Sequence, residues 1–153
     1  MKLNKKDVEH YKSDIIEIGC SDFKDSAGSF LNDYINKGEN ETGYIYFGCF
    51  AGEIFAGYLL LSIVEDEGEV IQLAVNKGFR RKGFSTVLLN EVFSYCEKVC
   101  VKSVFLEVRI SNSAAVSLYE KNGFIPIGKR KDYYSNPTED AFVMKRMIEN
   151  SQC

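Results

Sequence analysis

NKGFRRKGFSTVLL, residues 76–89, sets three consecutive basic side chains between Gly78 and Gly83 and then passes into apolar spacing suited to a helix. VIQLAV, residues 70–75, precedes it and reads as an apolar strand. A strand therefore hands over to a helix through a turn that is both basic and glycine-rich. The unpaired N–H groups at the helix start, the positive end of its dipole, and the charges of Arg80, Arg81 and Lys82 together suit a phosphate. Gly83 would let the backbone approach such a group closely. Taken alone, the same residues also fit a solvated basic turn in front of a core helix.

Gly78-x4-Gly83-Phe84-Ser85 differs at one position from the nucleotide-binding pattern G-x-x-x-x-G-K-[ST]. Phe84 stands where that pattern needs a lysine to reach the terminal phosphates, and no magnesium-binding aspartate follows a later strand. A nucleoside triphosphate is rejected as the ligand.

The chain has 153 residues, 45% of them apolar and 27% charged. That length suffices for one domain burying roughly 70% of the surface its unfolded form exposes. A net charge of −3 argues against nucleic acid as the main partner, so the basic patch is local. The first residues are polar with no signal-peptide pattern, and a cytoplasmic location is expected. Residues 44–64, YIYFGCFAGEIFAGYLLLSIV, approach the length of a membrane span, but Ala51-Gly52-Glu53 breaks them with a turn and a charge. Tyr, Phe, Ile and Val on both sides predict a buried hairpin rather than a span. Cys20, Cys49, Cys96, Cys100 and Cys153 are scattered and odd in number, and reduced thiols are expected. His10 is the only histidine, so neither a metal set nor a histidine-activated cysteine is easily assembled, and His10 itself is expected to face solvent.

Apolar periodicity predicts helices over residues 5–19 and 26–36, and an exposed loop over 36–43. Phe84, Val87, Leu88, Val92, Cys96 and Val99 form the stripe of a helix ending near Cys100, and residues 103–110 read as a strand. Ser111-Asn112 caps a short helix through Lys121, which Asn122-Gly123 stops. Residues 123–130 then read as a strand, 131–140 as a loop and 141–148 as a last strand. Helices interleaved with strands predict a single α/β or α+β domain, over residues 1–153, with a mixed sheet.

Arg80-Arg-Lys-Gly-Phe-Ser85, placed after LAV, resembles the Q/R-x-x-G-x-G/A motif of the GCN5-related N-acetyltransferases. LEVRISNSAAVSLYEKNGF (106–124) and YYSNPTEDAFVM (133–144) extend the likeness to the ribosomal-protein alanine N-acetyltransferases (RimI-like) and their archaeal and eukaryotic N-terminal acetyltransferase relatives. It covers residues 69–147, while the N-terminal half matches only in its order of elements. The resemblance implies a twisted, mostly antiparallel mixed sheet flanked by helices, with a splayed strand pair holding acetyl-CoA and no metal. It places Leu73, Ala74 and Val75 against the pantetheine arm, and Arg80, Arg81, Lys82, Gly83, Phe84, Ser85 and Thr86 around the pyrophosphate. Asn112 would also touch the cofactor, although an asparagine before Ala114-Ala115-Val116 is independently a good helix cap.

The same resemblance makes Glu107 the base and Tyr119 the acid. Acetyl transfer to an amine needs a neutral nitrogen, a route for its proton and stabilisation of the departing thiolate. On a strand Glu107 shares a face with Arg109, and the residues alone suggest a surface pair between them. Asn112, Ala115 and Tyr119 share a helix face, which would set a phenol two turns along the cofactor groove. Tyr133 and Tyr134, expected in the loop before the last strand, would wall the acceptor channel, whereas Glu139 and Asp140 are expected to be structural. No cysteine stands beside a base in the matching motifs, so direct attack is expected.

Ser85 replaces the usual final Gly or Ala of the cofactor motif, and Asn76-Lys77 the usual His-Pro or Asp-Pro. The chain also has no tryptophan, with SDFKDSAGSF standing where the ribosomal enzymes commonly carry Pro-Trp-Ser. The leading expectation is acetylation of a protein N-terminal amine, of the ribosomal-protein alanine type, by a monomer or homodimer. Acetylation of a small amine, polyamine or aminoglycoside is the runner-up, and a coenzyme-binding module without turnover comes from another class.

Overall fold

The computed structural model describes residues 1–24 and 26–149. Strand β1 (Lys2–Leu3) precedes helices α1 (Lys5–His10), α2 (Lys12–Phe23), α3 (Ser26–Lys37) and α4 (Glu39–Thr42). Strands β2 (Tyr44–Ala51), β3 (Ile54–Val64) and β4 (Glu67–Val75) follow, then α5 (Phe84–Lys98), β5 (Ser103–Arg109), α6 (Ser113–Lys121), β6 (Ile125–Tyr134) and β7 (Glu139–Met147). The strands form one sheet in the order β1-β2-β3-β4-β5-β7-β6. Every neighbouring pair is antiparallel except β4 and β5, which α5 connects as a crossover.

The apolar stretch at 44–64 is the expected hairpin. Ala51 pairs with Ile54, and Gly52 takes φ +63 in the turn between them. Two cores result from the alternation of side chains across the sheet. On one face Leu88, Leu89, Val92, Phe93 and Cys96 of α5 pack with Leu59, Leu61, Val104, Leu106 and Phe124. On the other, Val8, Ile15, Ile18, Leu31 and Tyr34 from α1 to α3 cover Tyr46, Tyr58 and Leu60. The strand residues of this second core come from β1 to β4, with none from β5, β6 or β7 among the described residues.

Several local expectations are corrected. The helix expected over 5–19 is two helices, parted at Tyr11 (φ −91, ψ 16), whose ring stacks on Phe55 with centroids 4.8 Å apart. The loop expected over 36–43 contains α4, stopped by Gly43 in the left-handed region at φ +68. β1 was not anticipated, because two residues show no periodicity and their pairing with Tyr46 and Phe47 is purely tertiary. β6 and β7 extend into the loop expected over 131–140, so Tyr133 and Tyr134 end a strand instead of lying in a loop. β6 is an edge strand, exposed along nearly its whole length, and therefore lacks the apolar alternation that marks a strand in sequence. Cys100 is disulfide-bonded, which corrects the reduced-thiol expectation there; Cys20, Cys49 and Cys96 are free, and Cys153 lies outside the described residues. His10 is exposed as expected, with its ring edge-on to Tyr11.

A buried polar chain ties the helical layer to β4. Tyr58 Oη donates to Gln72 Oε1 at 3.0 Å, and Gln72 Nε2 donates to Ser26 Oγ at 3.2 Å. Tyr46 lies beside this chain with its hydroxyl fully buried and without a hydrogen-bond partner among the described residues. A desolvated, unpaired hydroxyl is a cost of about 1–3 kcal/mol. Tyr46→Phe is therefore expected to raise stability by about 1 kcal/mol, read as a higher denaturation midpoint at unchanged slope. A destabilised variant would show that the hydroxyl has a partner.

Candidate active site

The β4 and β5 strands pair only from Glu67↔Ser103 to Glu69↔Phe105 and then splay. Residues 70–75 consequently have a free edge toward β5 while their other edge pairs with β3, where Leu73, Ala74 and Val75 face Leu59, Tyr58 and Gly57. An amide-bearing arm can add to such an edge as a strand would. At its end Asn76 caps a short 3-10 turn, Lys77–Phe79, by accepting from the Gly78 amide at 3.0 Å.

The turn then becomes concave. Arg81 takes φ +59 and Gly83 φ +86, left-handed positions of the kind from which anion-binding backbone nests are built. Gly83 is required there by its backbone angle; a Cβ would meet no atom within 4 Å but would carry the left-handed strain. The first bond of the helix is Val87 N to Gly83 O, and among the described residues no amide of residues 80–86 donates within the protein. Phe84 and Ser85 are half-buried, and Thr86 continues the first turn. These unpaired donors at the positive end of a 15-residue helix fit a pyrophosphate.

The basic side chains of the turn divide their work. Arg80 is braced away from it, with Nε donating to Val75 O at 3.0 Å and Nη2 3.0 Å from Asp22 Oδ2 at the end of α2. Lys82 Nζ lies over the Phe79 ring at 5.6 Å, and Arg81 is exposed with no ion pair among the described residues. Arg80 thus holds the strand end and α2 together, leaving Arg81 and Lys82 to supply the diffuse positive charge. Asn112 caps α6 by accepting from Ala115 N at 3.2 Å, and its exposed amide nitrogen remains free to donate. Capping and cofactor contact are compatible.

Tyr119, on the same α6, is only 9% exposed and packs edge-on against Phe124 at 5.7 Å. Burial, followed by the nearby Tyr134, pushes its phenol well above the ordinary value. Its hydroxyl makes no hydrogen bond among the described residues, yet it is not sealed off as that of Tyr46 is. A protonated donor is therefore held at the edge of an apolar wall.

Glu107 sits on β5 opposite Val143, its side chain 12% exposed. Its partner is not the sequence neighbour Arg109, as the residues alone suggested. Arg130 Nε from β6 stands 2.7 Å from Glu107 Oε1, whereas Arg109 pairs with Glu139 at 3.2 Å and stacks on Tyr134 at 4.3 Å. Glu107, as an acceptor beside the Tyr133 hydroxyl, and then burial push that phenol up to about 12. Tyr134 is half-buried and raised chiefly by burial. Glu139 also accepts from Ser111 N at 2.6 Å, and Asp140 from Asp132 N at 2.9 Å, so both acids fix loop ends as expected.

Sequence reasoning missed Glu69, Arg130 and Asp22. A cleft of about 250 Å³ opens below the splay, lined by Glu69 and Glu107 with Phe105, Val143 and Arg130. Glu69 is exposed, yet partial withdrawal from water and then the charge of Glu107 hold its carboxyl above the usual range. The alternation of GEVIQL could have shown which side of β4 Glu69 occupies, but nothing local in KRK marks Arg130.

The acetyltransferase (GNAT) family model matches residues 12–124. The chain is 34% identical over 111 residues to the [ribosomal protein bS18]-alanine N-acetyltransferase of Escherichia coli K12, covering 71% of this chain and 73% of that protein. It is 32% identical over 121 residues to an N-alpha-acetyltransferase of Saccharolobus solfataricus, covering 71% and 72%. The crystal structure of the Escherichia coli ribosomal-protein-S18-alanine N-acetyltransferase superposes with a TM-score of 0.79 at 29% identity, covering all of this chain and 96% of that one. The splayed strands, the amide-lined turn and these matches agree: the chain is an acetyl-CoA-dependent N-acetyltransferase and belongs to the GNAT family.

Proposed function

We propose that this enzyme acetylates the N-terminal α-amine of a protein by direct attack, with Glu107 taking the amine proton and Tyr119 donating toward the departing sulfur. The observation that carries this reading is the placement of Glu107. Its carboxylate lines a cleft beside the strand splay and lies near Tyr133 and Tyr134, whose hydroxyls it influences. The two relatives named above as N-terminal or alanine acetyltransferases support the acceptor class.

The chemistry supplied by acetyl-CoA is an activated acyl group on a thiol leaving group. An α-amine with a pKa of about 7.7–8.0 is roughly a tenth neutral at pH 7, whereas a lysine near about 10.4 is neutral in roughly one part in 2,500. A single carboxylate therefore suffices as base for the former. Tyr119, raised by burial, remains protonated at neutral pH. A phenol above about 10 does not transfer its proton downhill to a thiolate near about 8.5, so hydrogen-bond stabilisation of the sulfur is its stronger contribution.

A covalent acetyl-cysteine route lacks a suitable thiol in the buried set. Burial pushes Cys96 up to about 12 and Cys49 up to about 11, which leaves almost no thiolate. The test offers acetyl-CoA with short peptides differing in their first residue, lysine-bearing N-acetylated peptides, polyamines and aminoglycosides, and follows free thiol. Release with free N-termini and intersecting double-reciprocal lines is expected. Release only with polyamines or aminoglycosides would overturn the acceptor class, and parallel lines would overturn direct attack.

A further inference from the structure

Glu107 is held by a side chain that has few other attachments. Arg130 projects from edge strand β6 with 59% of its side chain exposed, and besides its ion pair with Glu107 its guanidinium lies 5.6 Å from the Tyr133 ring. Its terminal nitrogens make no hydrogen bond among the described residues. The cleft it enters is otherwise acidic: Glu67 and Glu69 from β4 and Glu107 from β5 line it, and Arg130 is the single cation among the lining residues. β4 and β5 are still paired at Glu69↔Phe105, which brings the carboxylates of Glu69 and Glu107 to one end of the splay.

Glu69 and Glu107 bring two negative charges to one cleft, and a cation between them relieves their mutual repulsion. Arg130 supplies that cation when no acceptor is bound. A primary ammonium offers the same chemistry, a positive charge with N–H donors in a smaller volume. It has to reach Glu107 before it can lose its proton there. The guanidinium and an acceptor ammonium therefore compete for one position.

We propose that Arg130 is a gate: its guanidinium occupies the seat of the acceptor ammonium beside Glu107 and Glu69, and a productive acceptor displaces it. Glu69 is then a specificity-determining residue, giving the seat its second negative charge and favouring a primary ammonium over an acetylated or otherwise neutral chain end. Displacement is inexpensive, because Arg130 is largely exposed and exposed ion pairs are weak. The inference rests on the reading that the acceptor amine comes to Glu107.

The test reads binding without turnover. A four-residue amidated peptide with free N-terminal alanine, and its N-acetylated counterpart, are titrated by calorimetry into the protein saturated with coenzyme A. Arg130→Gln is expected to bind the free peptide about fivefold more tightly than the wild type and to show a correspondingly lower peptide KM. Arg130→Lys, which keeps a competing cation, is expected to stay near wild type, and Glu69→Gln to bind more weakly. The acetylated peptide should respond to none of these changes. Equal or weaker binding of the free peptide by Arg130→Gln overturns the gate, as does a tightening shared by the acetylated peptide. Unchanged thermal unfolding shows that the variants are folded. If the gate behaves as expected but no acceptor receives acetyl, the proposed N-terminal activity fails while the seat stands.

Discussion

Tyr119→Phe is expected to lower kcat by about 100-fold or more, with little change in the affinity for acetyl-CoA. The substitution removes one oxygen and keeps the ring that packs against Phe124 in the core. Because that hydroxyl has no hydrogen bond among the described residues and is not sealed from solvent, its loss leaves no buried group unpaired. Stability should therefore remain near wild type, and a fall in turnover cannot be assigned to unfolding. Stopped assays at saturating acetyl-CoA, together with a titration of coenzyme A, separate the two quantities. Turnover close to wild type would remove Tyr119 from the chemistry and return it to a packing role.

Glu107→Gln is expected to reduce kcat/KM at pH 7 by about 100-fold to 10,000-fold, with a loss that narrows as pH rises. The glutamine keeps shape and loses the basic oxygen. It also loses the ion pair with Arg130, but Arg130 is 59% exposed and the effect on stability should be small. The sign of the pH dependence follows from the acceptor: a free α-amine with a pKa of about 7.7–8.0 passes from mostly protonated at pH 7 to mostly neutral at pH 9. The variant needs no base for the neutral fraction, so its rate should climb through that interval more steeply than that of the wild type. A defect of constant size from pH 7 to 9 would assign Glu107 to acceptor positioning instead.

These two residues differ in how far sequence could place them. Tyr119 follows from local rules: a cap at Asn112, a helical step of seven, and a stop at Asn122-Gly123 put it on the same face of α6 as Asn112. Alternation on β5 gives Glu107 its face but not its environment. Its neighbour Arg109 was the natural partner on the same strand, yet Arg109 turns to Glu139 and to the carbonyls of Ser135 and Pro137. Arg130 reaches Glu107 only because β7 lies between β5 and β6, an order that no short window encodes.

The amino-acid sequence by itself determined the strand, the basic turn and α5, because apolar periodicity, a left-handed glycine and an uncapped helix start act over a few residues. It determined the buried hairpin for the same reason. Tertiary structure alone decided that Arg80 braces Asp22, that Tyr133 and Tyr134 end an edge strand, and that Glu69 joins Glu107 across the splay. Ion pairs and edge-strand pairing depend on which distant segments the sheet brings together. An exposed strand such as β6 carries no periodic apolar signal from which that pairing could be read.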